Sequence, residues 1–107
     1  SLLIRFIGDT PKTRIIDFLI DNKGMDYSKT DIAKGADISR ATLFKYWNEI
    51  EEFNLVKETR CFGKTKLYTL NTENELVQKL LKIESTLIKL AMDELEKMKE
   101  DIAVIAF

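Results

Sequence analysis

Tyr27-Ser28-Lys29-Thr30-Asp31-Ile32-Ala33-Lys34-Gly35-Ala36-Asp37-Ile38-Ser39-Arg40-Ala41-Thr42-Leu43-Phe44-Lys45-Tyr46-Trp47 decides how this chain folds, read together with residues 55–70 behind it. Ser28 opens a short helix that runs through Asp31-Ile32-Ala33 to Ala36. Asp37-Ile38-Ser39 follows as a turn. The Ser39 side-chain oxygen can accept from the free backbone N–H groups of the next helix, which makes Ser39 an N-cap. Leu55 to Arg60 and Thr65 to Leu70 carry the Thr, Val, Tyr and Leu that favour strands, and they flank Cys61-Phe62-Gly63-Lys64. Gly63 supplies the positive φ of a tight turn.

Helix, turn, helix and hairpin in unbroken succession is the order of a winged helix-turn-helix. In that arrangement the second helix, about 39–53, enters the major groove of DNA, and the wing, 55–70, lies on the backbone or in the minor groove. A 3.6-residue period puts Leu43, Tyr46, Trp47, Ile50 and Phe53 on one arc, facing a core. The candidate reading set is Ser39, Arg40, Ala41, Phe44, Lys45 and Asn48, since Arg and Lys suit guanine and Asn suits adenine. Phe44 has two readings, a thymine-methyl contact or a small extra core. Arg60, Lys64 and Lys66 cluster around the hairpin tip, where they would hold phosphates or blunt an edge strand against aggregation.

Five segments carry a family resemblance: Gly8-Asp9-Thr10-Pro11, Thr30-Asp31-Ile32-Ala33-Lys34-Gly35-Ala36, Ile38-Ser39-Arg40-Ala41-Thr42-Leu43, Leu55-Val56-Lys57-Glu58-Thr59-Arg60 and Lys66-Leu67-Tyr68-Thr69-Leu70-Asn71. Together they resemble small archaeal winged-helix transcriptional regulators over most of residues 2–80. The resemblance implies a DNA-binding transcription factor, usually a homodimer. One departure is Asn54, where related domains commonly place Gly; Asn tolerates the left-handed conformation, so the helix stop should survive.

Thr10-Pro11 starts a supporting helix, since Pro is favoured in a first turn, and Ile15, Ile16, Phe18, Leu19 and Ile20 carry it to about Asn22. Gly24 is its expected left-handed cap. Leu2-Leu3-Ile4 and Phe6-Ile7 read as a short helix stopped by Gly8. Residues 1–71 thus form the DNA-binding domain of a mainly α protein with one β-hairpin, an α+β chain.

Residues 72–107 read as one long helix. Thr72 and Glu75 have capping-box spacing, and no Pro or Gly follows before Phe107. Leu76, Leu80, Ile83, Leu87 and Leu90 repeat at 4-3-4-3 spacing, and Ile88, Ala91, Leu95, Met98, Ile102 and Ile105 continue on the neighbouring stripe. A seam this long calls for a partner helix, and homodimerisation through Leu76, Leu80, Ile83, Leu87, Leu90, Leu95, Met98, Ile102 and Ile105 is the economical answer. The alternative is that Leu76 to Leu87 dock on their own domain while the rest folds back or dangles, and the shift of stripe fits a compromise in which the first half touches both core and partner.

A net charge of −1 looks wrong for a DNA binder until the charges are placed. Residues 28–66 carry eight basic and six acidic side chains, against five and eight over 67–107. The basic surplus over the motif can face phosphates while the acidic tail keeps the particle soluble. No window approaches the roughly 18 apolar residues of a membrane span, and no signal-peptide pattern opens the chain, so a cytoplasmic protein is expected. Cys61 is the only cysteine, which excludes an internal disulfide.

Catalysis has little support. Histidine is absent, no glycine-rich phosphate loop or paired-cysteine spacing occurs, and the carboxylates sit in ordinary helix faces. No cofactor or metal is expected, and no enzyme. A small-molecule effector, should the protein use one, would enter where the wing meets the dimer helices. Three functions remain: a homodimeric sequence-specific DNA-binding transcriptional regulator, a protein-interaction module of the transcription or replication machinery, and a low-specificity architectural DNA binder. Arg40 and Lys45 favour the first.

Overall fold

The computed structural model describes residues 1–106. Its elements are α1 (Leu2–Ile7), α2 (Pro11–Asp21), α3 (Lys29–Gly35), α4 (Arg40–Glu52), β1 (Val56–Phe62), β2 (Thr65–Leu70) and α5 (Glu75–Ala106). The expected helix end at Phe107 lies outside the described residues.

Each start and stop has a local cause. Thr10 caps α2 with Pro11 in its first turn, Ser28 caps α3 and Ser39 caps α4, each side chain accepting from the N–H three residues on. Gly8 ends α1 with φ 122°, and Asn54 takes φ 54° just after α4, as the sequence predicts. α2 stops at Asp21, capped by Asn22, whose side-chain amide donates to the Phe18 carbonyl at 2.8 Å. Gly24 takes its left-handed φ of 89° in the turn beyond and is not itself the cap.

Ile15 and Leu19 of α2, Ile32 of α3, Leu43, Trp47 and Ile50 of α4, Leu55, Tyr68 and Leu70 of the wing and Val77 of α5 form one buried cluster. Phe53 leaves the predicted arc. It caps α4 and is 53% exposed, because the helix has ended before the period can bring it to the core.

The wing is a two-stranded antiparallel hairpin closed by Phe62 and Thr65, with Gly63 and Lys64 between them. Gly63 alone of that pair has positive φ, the pattern of a type II′ turn. Glu58 pairs with Tyr68 and Arg60 with Leu67, which leaves Thr59 as a bulge. The backbone of Tyr27 bonds that of Tyr68 in both directions at 2.8 Å and ties the chain before α3 to the sheet.

The Thr72–Glu75 capping box does not form. Asn74 caps α5 instead, its Oδ1 accepting from the N–H of Leu76 at 2.7 Å and of Val77 at 3.4 Å. Its amide nitrogen donates to the carbonyls of Phe53 and Asn54, both at 2.8 Å. A threonine hydroxyl has no second arm to serve the free carbonyls beyond α4 while capping α5. Asn74 therefore joins the end of one helix to the start of the other.

α5 is 32 residues long, about 48 Å at the rise of an α-helix. Its first part packs on the body through buried Val77 and half-buried Leu80, Leu81 and Leu87. Glu84 comes beside Asp17 and Asp21 of α2. Burial, and then the neighbouring Asp21 and Asp17 charges, push the Glu84 carboxyl above its usual range; burial and the Asp17 charge do the same to Asp21. From Ile88 onward every side chain described is exposed. No helix among the described residues is long and apolar enough to cross a membrane.

Candidate nucleic-acid interface

The turn before α4 is held from behind. Arg14 on α2 donates from Nε and Nη2 to the two Asp9 carboxylate oxygens at 2.6 and 3.0 Å, and from Nη1 to the Asp37 carbonyl at 3.1 Å. Asp37 adopts φ 55° at that point. The Arg14 hydrogen bond lowers the Asp9 pKa below the ordinary 3.8. Lys12 pairs with Glu49 and links α2 to α4 a second time.

These restraints present the outer face of α4. Ser39, Arg40, Ala41, Phe44, Lys45 and Asn48 are all exposed, while Leu43, Trp47 and Ile50 are buried beneath them. The Ser39 hydroxyl is largely spent on its own helix, accepting from the Thr42 N–H at 3.1 Å and donating to Thr42 Oγ1 at 2.8 Å. Arg40 and Lys45 make no ion pair among the described residues. Lys45 lies over the Tyr46 ring at 5.6 Å and Arg40 over the Phe44 ring at 5.6 Å.

The wing divides the basic cluster read from the sequence. Cross-strand partners share a face of the hairpin, and Lys66 pairs with Cys61 whereas Arg60 pairs with Leu67, the next residue along. Arg60 and Lys66 therefore belong to opposite faces. Lys64 and Lys66 line a cleft with Arg40 and Phe44 of α4. Arg60 instead donates from Nε and Nη2 to the Asp26 carboxylate at 2.8 and 3.1 Å, and Thr59 Oγ1 donates to the same carboxylate at 2.7 Å. These bonds hold Asp26 below its ordinary 3.8, the Arg60 bond contributing most. Arg60 ties the wing to the chain before α3 and is not a free cation at its tip.

The cleft between α3, α4 and the wing has a volume of about 250 Å³ and is lined by Ser28, Lys29, Thr30, Arg40, Phe44, Lys64, Thr65, Lys66 and Tyr68. Lys29 was no candidate in the sequence. Its Nζ lies 5.3 Å from the ring centroid of Phe44, 5.4 Å from Trp47 and 5.7 Å from Tyr68. Trp47 and Tyr68 meet edge to face at 5.0 Å. No local pattern could have found Lys29, because its three aromatic neighbours come from α4 and β2.

On α5 the candidate dimer residues separate by burial. Leu80 and Leu87 pack partly against the domain, whereas Leu76, Ile83, Leu90, Leu95, Met98, Ile102 and Ile105 are exposed. Phe6 of α1, 67% exposed, joins Ile83, Leu87 and Leu90 along an apolar groove.

No protein-family profile matches the chain, and no curated protein does. Solved structures do match in fold. A mutant of Staphylococcus aureus MepR bound to an oligodeoxyribonucleotide superposes with a TM-score of 0.63 at 17% identity, over 97% of this chain and 81% of that one. NadR in complex with 4-hydroxyphenylacetate gives 0.60 at 24% identity, over 98% and 77%. A mutant of Lactococcus lactis ZitR in apo form gives 0.60 at 17%, over 85% and 68%, and the chain spans 63% of the length of a second ZitR structure. ZitR is described as a zinc-responsive MarR family member, and MepR as a transcription regulator of a multidrug efflux pump. What the chain shares with all three is the fold.

Proposed function

We propose that this chain is a sequence-specific DNA-binding transcriptional regulator that acts as a homodimer. The observation that carries the reading is the outer face of α4: Arg40, Phe44, Lys45 and Asn48 are exposed on a helix whose other face is locked into the core, with Lys64 and Lys66 of the wing beside it. A helix so mounted can put its first turns against base edges while the wing takes the backbone. The MepR structure bound to an oligodeoxyribonucleotide supports the reading by analogy of fold. The zinc response of ZitR is not carried over, because this chain has no histidine and a single cysteine.

The second copy would pair through α5 and α1. Phe6, Ile83 and Leu90 are 67%, 39% and 59% exposed, and the apolar stripe continues to Ile105. Exposed apolar surface of this extent marks an interaction site in a soluble protein. Dimerisation would also mount two α4 helices on one rigid frame.

Binding of Arg40→Ala and Lys45→Ala variants to a selected duplex and to random duplex tests the reading. Loss of a base contact at Arg40 should cost about 1–3 kcal/mol on the selected duplex and relax preference at one position per half-site. Equal losses on both duplexes would reduce the two residues to phosphate contacts, and no loss on either would remove them from the interface.

A further inference from the structure

We propose that the cleft between α3, α4 and the wing is a fixed seat for one phosphodiester of the DNA backbone, held by Lys29, with Phe44 as the platform that fixes the Lys29 ammonium beside the base-reading Arg40. The proposal rests on the DNA-binding reading and adds to it a contact from outside the recognition helix. It also assigns Phe44 a role other than reading a thymine methyl.

Four basic residues line the cleft, with Ser28, Thr30 and Thr65 supplying hydroxyls, and no Asp or Glu lines it. Among the described residues Lys29, Arg40 and Lys64 make no ion pair, and Lys66 reaches only Glu58 at 3.8 Å. A concave patch of four cations, three of them without an ion pair among the described residues, and of hydroxyl donors is chemistry for an anion with several oxygens.

Lys29 is what makes the seat specific. A lysine normally loses about 2 kcal/mol of side-chain entropy when it is fixed on a ligand. Here the ammonium already lies within 6 Å of three ring centroids, two of them from rings buried in the core. Cation–π attraction holds the charge without consuming its N–H donors, so they stay available to an anion. Phe44 is 47% exposed and has both Lys29 and Arg40 over its ring. Arg40 and Phe44 belong at once to the cleft and to the exposed face of α4. An anion seated there is in line with a duplex lying along that helix, which favours a backbone phosphate over a free one.

The test uses the full chain, a selected duplex and a random duplex, with affinity measured against salt. Lys29→Gln should weaken binding by the same factor on both duplexes and reduce the slope of log affinity against log salt by about one unit. Lys29→Arg should restore most of that slope, which a merely misfolded variant could not do. Phe44→Leu should also weaken both duplexes alike. An unchanged slope in Lys29→Gln would overturn the proposal while leaving specific binding by α4 intact. Loss of preference at a single thymine in Phe44→Leu would return that residue to base reading. Failure of the unaltered protein to bind either duplex would remove the DNA-binding reading and this one with it. Melting of the free chain in phosphate and in chloride at equal ionic strength should agree; a phosphate-dependent rise that Lys29→Gln abolishes would reassign the cleft to a free anion.

Discussion

Gly35 ends α3 against the Phe18 ring, so close that an added Cβ would collide with it. Phe18 is fixed in turn by an edge-to-face contact with Tyr27 at 5.0 Å, so it has little room to yield. Gly35→Ala gains helix propensity of about 1 kcal/mol but forces ring and helix apart, which costs about 1–3 kcal/mol. We expect a lower melting temperature, partly recovered by adding Phe18→Leu; a variant as stable as the parent would show that the packing gives way easily. Nothing near Gly35 in the sequence announces this, since the ring it meets is on another helix. Caps and left-handed residues were legible, because Ser28, Ser39 and Asn54 act within a few residues of themselves. Lys29 and Arg60 were not. The role of Lys29 depends on rings brought by tertiary packing, and that of Arg60 on a partner, Asp26, 34 residues away, with a hairpin register that pairs it with Leu67 and so turns it from Lys66.

Among the elements, carboxylates act in opposite directions where the wing and where α5 meet the rest of the fold. Asp26 clasps the wing through Arg60 and Thr59 and has a lowered pKa, so its contribution is full above its unfolded value of 3.8 and is lost as pH falls through the lower folded value. Glu84 and Asp21, where α5 meets α2, have raised values, so they oppose folding at neutral pH and cease to do so as pH falls through their folded values. Melting followed from pH 7 downward should separate the two. Glu84→Gln should melt above the parent at pH 7 and converge with it as pH approaches 4, whereas Asp26→Asn should melt below the parent at pH 7 and converge only under more acid conditions. A Glu84→Gln variant less stable than the parent at pH 7 would mean that its carboxylate is stabilising after all. The order and type of the elements were readable from period and caps. The cap of α5 is Asn74 and not the Thr72 that local spacing predicts, because the second arm of the Asn74 side chain serves Phe53 and Asn54, residues that a local capping rule does not consult.

At the scale of the whole molecule, the radius of gyration is 17.4 Å, against about 13 Å for a compact chain of this length. The extents of 65 × 28 × 22 Å belong to a compact body with α5 standing off it. The seam along α5 was visible in the sequence, and so, as an alternative, was the docking of its first half: Val77, Leu80, Leu81 and Leu87 pack on the domain, while the described side chains from Ile88 onward face solvent. If that outer stretch is the dimer interface, Leu90→Glu with Leu95→Glu, both exposed beyond the docked part of α5, sets like charges across it and removes apolar area from it. Sedimentation should then report a monomer with much weaker operator binding, and a double variant that still sediments as a dimer would displace the interface elsewhere. Whether α4 reads DNA sequence from a dimeric frame is decided by selecting bound duplexes from a random pool with the full chain. The selected duplexes are then challenged with excess random duplex. A palindrome with half-sites about 34–36 Å apart that survives the competitor is expected. A pool that stays random after repeated rounds, or binding that the competitor abolishes, would rule out sequence reading by a dimer.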